Sequence, residues 1–205
     1  MKNTFSKGFT LVELLVVITI LAALAAAVVA VLNPIELLAQ GRDAQRISDT
    51  TTIRDALLYL VAHGTSPILC VDGAGVGGGC HDGGICTVNP GAGNGPFSTQ
   101  TCGIDNSLRT IDGTGWVDVN LAGFVFGGSP ITALPMDPVH TATFFYGYKA
   151  NTAGAFKITT RLESERYRPM MAEDGGIRNT CGTPPSWTGW NTATCFYEIG
   201  SNLLL

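Results

Sequence analysis

From Phe9 to Leu32 the chain is apolar apart from two hydroxyls, Thr10 and Thr19, and a single carboxylate, Glu13. As one helix, a run of this length spans the hydrocarbon of a bilayer, which takes about 20 residues. An ionised side chain inside such a helix costs roughly 2.5–3.5 kcal/mol on insertion scales, so Glu13 requires a cationic partner. The nearest candidate is an α-amino group made by cutting after Gly8, either its own or that of a packed neighbour. Lys2 and Lys7 precede the run. Positive charge on that side holds the N-terminus in the cytoplasm and places the head after Leu32 outside.

Ser6-Lys7-Gly8-Phe9-Thr10-Leu11-Val12-Glu13-Leu14-Leu15 resembles the prepilin leader junction of type IV pilins and type II secretion pseudopilins. A short basic leader, Gly8, Phe9 and Glu13 stand at the family's spacing. The resemblance implies a prepilin peptidase that cuts between Gly8 and Phe9 and N-methylates Phe9. It implies that Glu13 then neutralises the amine of an adjacent subunit in a homo-oligomeric filament. An inner-membrane assembly platform and minor pilins would be the other partners. The precursor would be a single-pass membrane protein, and the product a cell-surface or periplasmic filament. Residues four apart share a helix face, and an ion pair among apolar helices is costly to leave half made. Two other readings stay open: a secretory signal cut near Ala25-Ala26-Ala27, and an uncut anchor. Glu13 would interrupt a secretory core, and the helical pattern runs past those alanines.

The 205 residues carry a formal charge of −4, which becomes −6 once Lys2 and Lys7 leave with the leader. An acidic chain without a Lys/Arg cluster is a poor match for phosphate backbones, so no nucleic acid is expected as a partner. All six cysteines, Cys70, Cys80, Cys86, Cys102, Cys181 and Cys195, follow the membrane run. In an exterior compartment an even count reads as disulfides. Cys181 and Cys195 flank one loop and form the preferred pair; the other four leave three pairings open.

The domains expected are leader 1–8, membrane or filament-core helix 9–32, amphipathic continuation 33–63, and head 64–205. Ile35, Leu38, Ile47, Ile53, Leu57, Leu60 and Val61 give the continuation an apolar face. Arg42, Asp43, Arg46, Asp49, Arg54 and Asp55 supply its wet face, and Gly64 is a candidate C-cap. A single helix from Phe9 to His63 would run about 80 Å at 1.5 Å per residue. Pro34 removes a hydrogen bond and crowds the preceding turn, predicting a kink or local unwinding near Ala30–Pro34. In the head, a Gly/Cys/Thr-rich loop over 64–115 precedes a sheet over 116–200. The strands expected are Trp116–Leu121, Thr143–Lys149, Phe156–Leu162 and Cys195–Ile199, with a turn at Asn151-Thr152-Ala153-Gly154. The fold class is α+β: a long N-terminal helix packed on a small antiparallel sheet, pilin-like.

Leu134-Pro135-Met136-Asp137-Pro138 and the aromatic run Phe144–Tyr148 resemble a segment of major pseudopilins. Gly115-Trp116-Val117, Arg161-Leu162-Glu163-Ser164 and Tyr197-Glu198-Ile199-Gly200 extend that resemblance in order. Major pseudopilins often bind calcium, and Glu163, Glu165, Glu173 and Asp174 supply oxygen donors in the corresponding region. Glu173 and Asp174, beside the Gly175-Gly176 turn, are the candidate ligands. Otherwise no cofactor is expected.

Other chemistry fails on context. Gly73-Ala74-Gly75-Val76-Gly77-Gly78 has dinucleotide-loop spacing, but no strand precedes it and Gly79–Gly84 starts no helix. Cys80-His81 and Cys86 lack the close-spaced pairs of a structural zinc site. No nucleophile stands with a general base, so no enzyme is expected. Trp187 and Trp190 read as the aromatics of a disulfide-bounded loop. The function expected is a structural filament subunit. The alternatives are an anchored or secreted disulfide-containing binding domain and a DNA-uptake pilin.

Overall fold

The computed structural model describes residues 8–63, 69, 84–91, 95–97, 102, 104–122, 128–181 and 194–205. Two compact units divide the chain, Met1–Leu38 and Ala39–Leu205. Leader residues 1–7, Gly64, Cys70, the Gly73–Gly78 run, Cys80, His81, Trp187 and Trp190 lie outside the described residues.

Helix α1 spans Leu11–Leu32 and α2 spans Pro34–His63. Between them Asn33 takes a left-handed conformation, φ 40° and ψ 75°. The local unwinding expected near Pro34 falls at Asn33 and divides the run into two helices. A residue before proline is barred from the right-handed helical region, and asparagine tolerates the left-handed one. Pro34 stands first in α2, where its missing N–H is no loss.

In the second unit, α2 buries Ala39, Asp43, Arg46, Thr50 and Ile53, at alternating steps of four and three, and then Ala56 and Leu57, three and four residues further on. Such spacing keeps one stripe on one side of a helix. The wet-face assignment of Asp43 and Arg46 is thus overturned: both are fully buried. Ile35 and Leu38, assigned to the apolar face, are 77% and 64% exposed. The apolar half of the stripe packs Ile53 and Leu57 against Tyr146, Tyr148, Phe156 and Ile158.

Five strands form one sheet in the order β2-β1-β3-β4-β5: β1 Ile85–Cys86, β2 Ile104–Asp105, β3 Gly147–Ala150, β4 Phe156–Thr160 and β5 Tyr197–Gly200. Four of them run antiparallel to their neighbours, and β2 adds parallel to β1. A short helix α3, Met170–Glu173, precedes β5. The β3–β4 turn is closed by Asn151, whose Oδ1 accepts from the amides of Ala153 and Ala155, both at 3.0 Å. Gly154 there takes φ +79°, open to glycine at no steric cost.

Trp116–Leu121 is not a strand. Val117, Val119 and Leu121 are buried, as their alternation expressed, and so is the adjacent Trp116. Their backbone bonds, however, go to loop partners: Trp116 N to Leu108 O at 3.1 Å, Leu121 N to Ile111 O at 2.7 Å. Alternation reports which side chains are covered; a strand needs a neighbouring backbone as well. Conversely, the aperiodic 64–115 region holds β1 and β2, too short for any period to show.

A second cluster gathers Cys86, Phe97, Phe145 and Phe196. Beside it Lys157 Nζ donates to Glu198 Oε1 at 2.8 Å, both side chains fully buried. Arg161 lies 4.1 Å over the Phe196 ring and donates to Thr143 O at 2.6 Å. Burial without a carboxylate partner pulls its pKa down to about 9.

Candidate assembly site

The first unit presents the processing junction. Gly8 and Phe9 are exposed, Phe9 by 82%. Thr10 caps α1: its Oγ1 accepts from Glu13 N at 3.2 Å, while Glu13 Oε2 accepts from Thr10 N at 2.8 Å. This reciprocal capping box satisfies helix-end donors and puts the carboxylate one turn from the Gly8–Phe9 bond. Thr10 Oγ1 also donates to Glu13 Oε2 at 2.8 Å. The window Leu11–Val29 has mean hydropathy 2.8 and none of it is buried. Thr19 returns its hydroxyl to Val16 O at 2.8 Å, leaving no loose donor on the apolar surface. This helix is long and apolar enough to cross a membrane.

The second unit holds α2 with a charged lock. Arg46 grips Asp137 with two bonds, Nε to Oδ2 at 2.7 Å and Nη2 to Oδ1 at 3.1 Å. Its Nη1 reaches Asp43 Oδ1 at 2.9 Å and Glu163 Oε1 at 2.7 Å. Arg42 closes on Glu163 with another fork, at 2.6 and 2.9 Å. Two of the three acids also serve the backbone. Asp43 Oδ2 accepts from the amides of Glu163 and Ser164, at 3.0 and 2.7 Å. Asp137 Oδ1 accepts from Val139 and His140, at 2.8 and 3.1 Å. Burial alone would lower the pKa of Arg46, but Asp137, Glu163 and Asp43 outweigh it and raise it. Burial likewise pushes the Glu163 carboxyl up, and the two arginines pull it below its usual value.

Two of the head motifs supply this lock and a third supports it. Asp137 and Glu163 are its acids. Trp116 Nε1 donates to Pro135 O at 3.0 Å, fastening the loop that carries Asp137. A Cβ at Gly115 would overlap the Thr110 carbonyl and the Leu134 side chain, so only glycine fits there. Glu198 pairs with Lys157, and its Oε2 accepts from Arg178 N at 3.0 Å.

Among the described cysteines, Cys86 is joined to Cys102 and Cys181 to Cys195. The second bridge closes a neck where Asn179 faces Cys195 and Thr180 N donates to Thr194 O at 3.1 Å. The calcium candidates Glu173 and Asp174 line one cavity with Glu198. Glu163 is held by arginines, while Glu165 and Glu173 are exposed. Asp174 accepts from Gly176 N at 2.9 Å and Glu198 N at 2.7 Å. Among the described residues no three acidic, histidine or cysteine side chains gather as a metal site. Sequence reasoning missed Asp43, Arg46 and Asp137 as a group. The signal was present in α2, where positions 43, 46 and 50 continue the stripe of 53 and 57.

Residues 4–29 match the family model of the prokaryotic N-terminal methylation motif, typical of type IV pilins and pseudopilins. Neither the curated proteins nor the solved structures contain a match to the chain. The motif indicates processing by prepilin peptidase and, in general, assembly into a filament. It matches a structural type of protein, and the apolar helix accords with a membrane-anchored precursor.

Proposed function

We propose that this chain is a structural subunit of a type IV pilus-like or type II secretion pseudopilus filament. It is cut between Gly8 and Phe9, N-methylated at Phe9, and assembled through α1, with Glu13 neutralising the amine of a neighbouring copy. Before assembly it is a single-pass protein with its head outside the cytoplasm. The observation that carries the reading is Glu13 itself, an exposed carboxylate one turn inside a membrane-length helix with no cation paired to it among the described residues. A charge placed there is expensive unless a partner cancels it, and cleavage at the exposed Gly8–Phe9 bond creates one. In the precursor its Oε2 is spent on the Thr10 cap.

Mass spectrometry of the N-terminal peptide from native membranes or sheared surface material tests the processing. N-methylated Phe9 at the mature end is the expected result; an intact Met1 or an end near Ala27 refutes it. Glu13→Ala tests the assembly. The variant should insert and be cut, yet yield at least tenfold fewer filaments; filaments at normal abundance would remove Glu13 from the mechanism.

A further inference from the structure

We infer that Arg46, gripped by Asp137 and Glu163, fixes the register of α2 on the head, a setting that the apolar contacts of α2 leave open. The inference concerns the head alone and does not depend on the filament reading.

The fully buried apolar positions Ile53 and Leu57 are degenerate to a slip of one turn, at the cost of crowding at Ala56 and of Gly64 in the place of Leu60. If α2 advanced by four residues, Leu57, Leu60 and Val61 would take the places of Ile53, Ala56 and Leu57, apolar for apolar. The charged half has no such second solution. Thr50 would face Asp137 in place of Arg46, leaving a fully buried carboxylate without its cation. Ile47 would replace Asp43, orphaning the amides of Glu163 and Ser164. Buried donors and charges stripped of partners are what proteins most avoid. Asp137 and Glu163 lie on separate loops, so one guanidinium locates α2 against two points at once. The fork adds direction, because its planar donors accept carboxylates along fixed lines. Arg46 also lies 4.6 Å over the Phe144 ring, which limits rotation about the helix axis. In this scheme Arg46, Asp137, Glu163 and Asp43 are positioning residues.

The test is the variant Arg46→Met, Asp137→Asn, Arg54→Ala in the full chain in detergent micelles. It removes Arg46 and the Asp137 charge together, while fully buried Asp43 loses its guanidinium partner. Asp43 keeps the two amides, Glu163 keeps Arg42, and the amide oxygen introduced at position 137 still accepts from Val139 and His140. Arg54→Ala takes away the cation that a four-residue slip would carry into the place of Thr50. Spin labels at the exposed positions Ser48 and Thr152 report the distance between α2 and the β3–β4 turn. The native lock should give one narrow distribution. The variant should gain a second population displaced by up to about 6 Å, four residues at 1.5 Å each. A single unshifted distribution in the folded variant overturns the inference. Should the variant not fold, Arg46→Lys decides, since lysine keeps the charge but cannot fork onto two acids. A broadened distribution then supports the inference, and one identical to the native overturns it.

Discussion

Helix α1 and the part of α2 on the head obey opposite rules of burial. In α1, Leu11, Leu14, Leu21 and Leu24 are 80%, 60%, 58% and 59% exposed. In α2, Asp43 and Arg46 are wholly covered. Polarity alone therefore does not say where a side chain sits; what stands opposite does. The head answers Arg42 and Arg46 with carboxylates and Asp43 with backbone amides, and its core answers Ile53 and Leu57 with aromatics. Nothing in its own unit covers the apolar surface of α1. One helix is specified by composition, the other by reciprocity.

The sharpest way to break this contrast is Arg46→Ala. Removing one partner of a buried ionic group leaves Asp137 uncompensated, which costs about 3–5 kcal/mol. Denaturant unfolding of the full chain in micelles should show a head destabilised by that amount. A loss under 1 kcal/mol would mean that water reaches Asp137 and the lock is wet.

One substitution placed in both helices sharpens it further. Leu57→Ala deletes methyl groups from a fully buried site, at about 2–5 kcal/mol depending on how far the cavity relaxes. Leu21→Ala removes the same atoms from an exposed site and should leave the unfolding midpoint of the head unchanged. Equal shifts would show that α1 is covered by the head and would end the comparison.

The same contrast explains what the sequence made legible. Long patterns were readable: the apolar run, the Gly8–Phe9–Glu13 spacing and the turn at Asn151–Gly154 all report local chemistry. Strands β3, β4 and β5 were found with edges displaced, since propensity does not locate the last paired backbone. Arg46 was not readable because its partners are 91 and 117 residues away. A charged position within an apolar stripe looks like the wet side until its partner is seen. Asp137, held between two prolines, gave a motif without a reason. The reason is that its fixed loop presents one carboxylate to Arg46 and caps its own turn.

Asp174 tests the head at a smaller scale, through pH. Burial raises its carboxyl to about 6 from 3.8, against the pull of the Gly176 and Glu198 amides and with Glu198 adding repulsion. The folded state therefore binds this proton more tightly than the unfolded state does. The resulting stability is complete below about pH 3.8 and is lost as pH rises through 6. Asp174 is only half-buried, so solvent screening limits the swing to about 1–2 kcal/mol. Denaturant midpoints should fall from pH 4 to pH 7, and Asp174→Asn should flatten that window. An unchanged slope in the variant would assign the titration to another group.

Arg54 gives the smallest effect and the cleanest control for Arg46. Both are arginines of α2, eight residues apart, and both make ion pairs. Arg54 pairs with the adjacent Asp55 at 2.7 Å, with the two side chains 33% and 59% exposed. In water the attraction is screened, each ion is well solvated alone, and holding two long side chains together costs entropy. Arg54→Ala should therefore change unfolding free energy by less than about 0.5 kcal/mol, against the several lost at Arg46. Raising salt should leave the gap between the two variants standing, because a dry pair is screened far less than a wet one. If instead Arg54→Ala approached the cost of Arg46→Ala, distance from solvent would not be what separates them. The common cause would then be the guanidinium's contribution to the helix itself, and the lock would lose its claim to a special role.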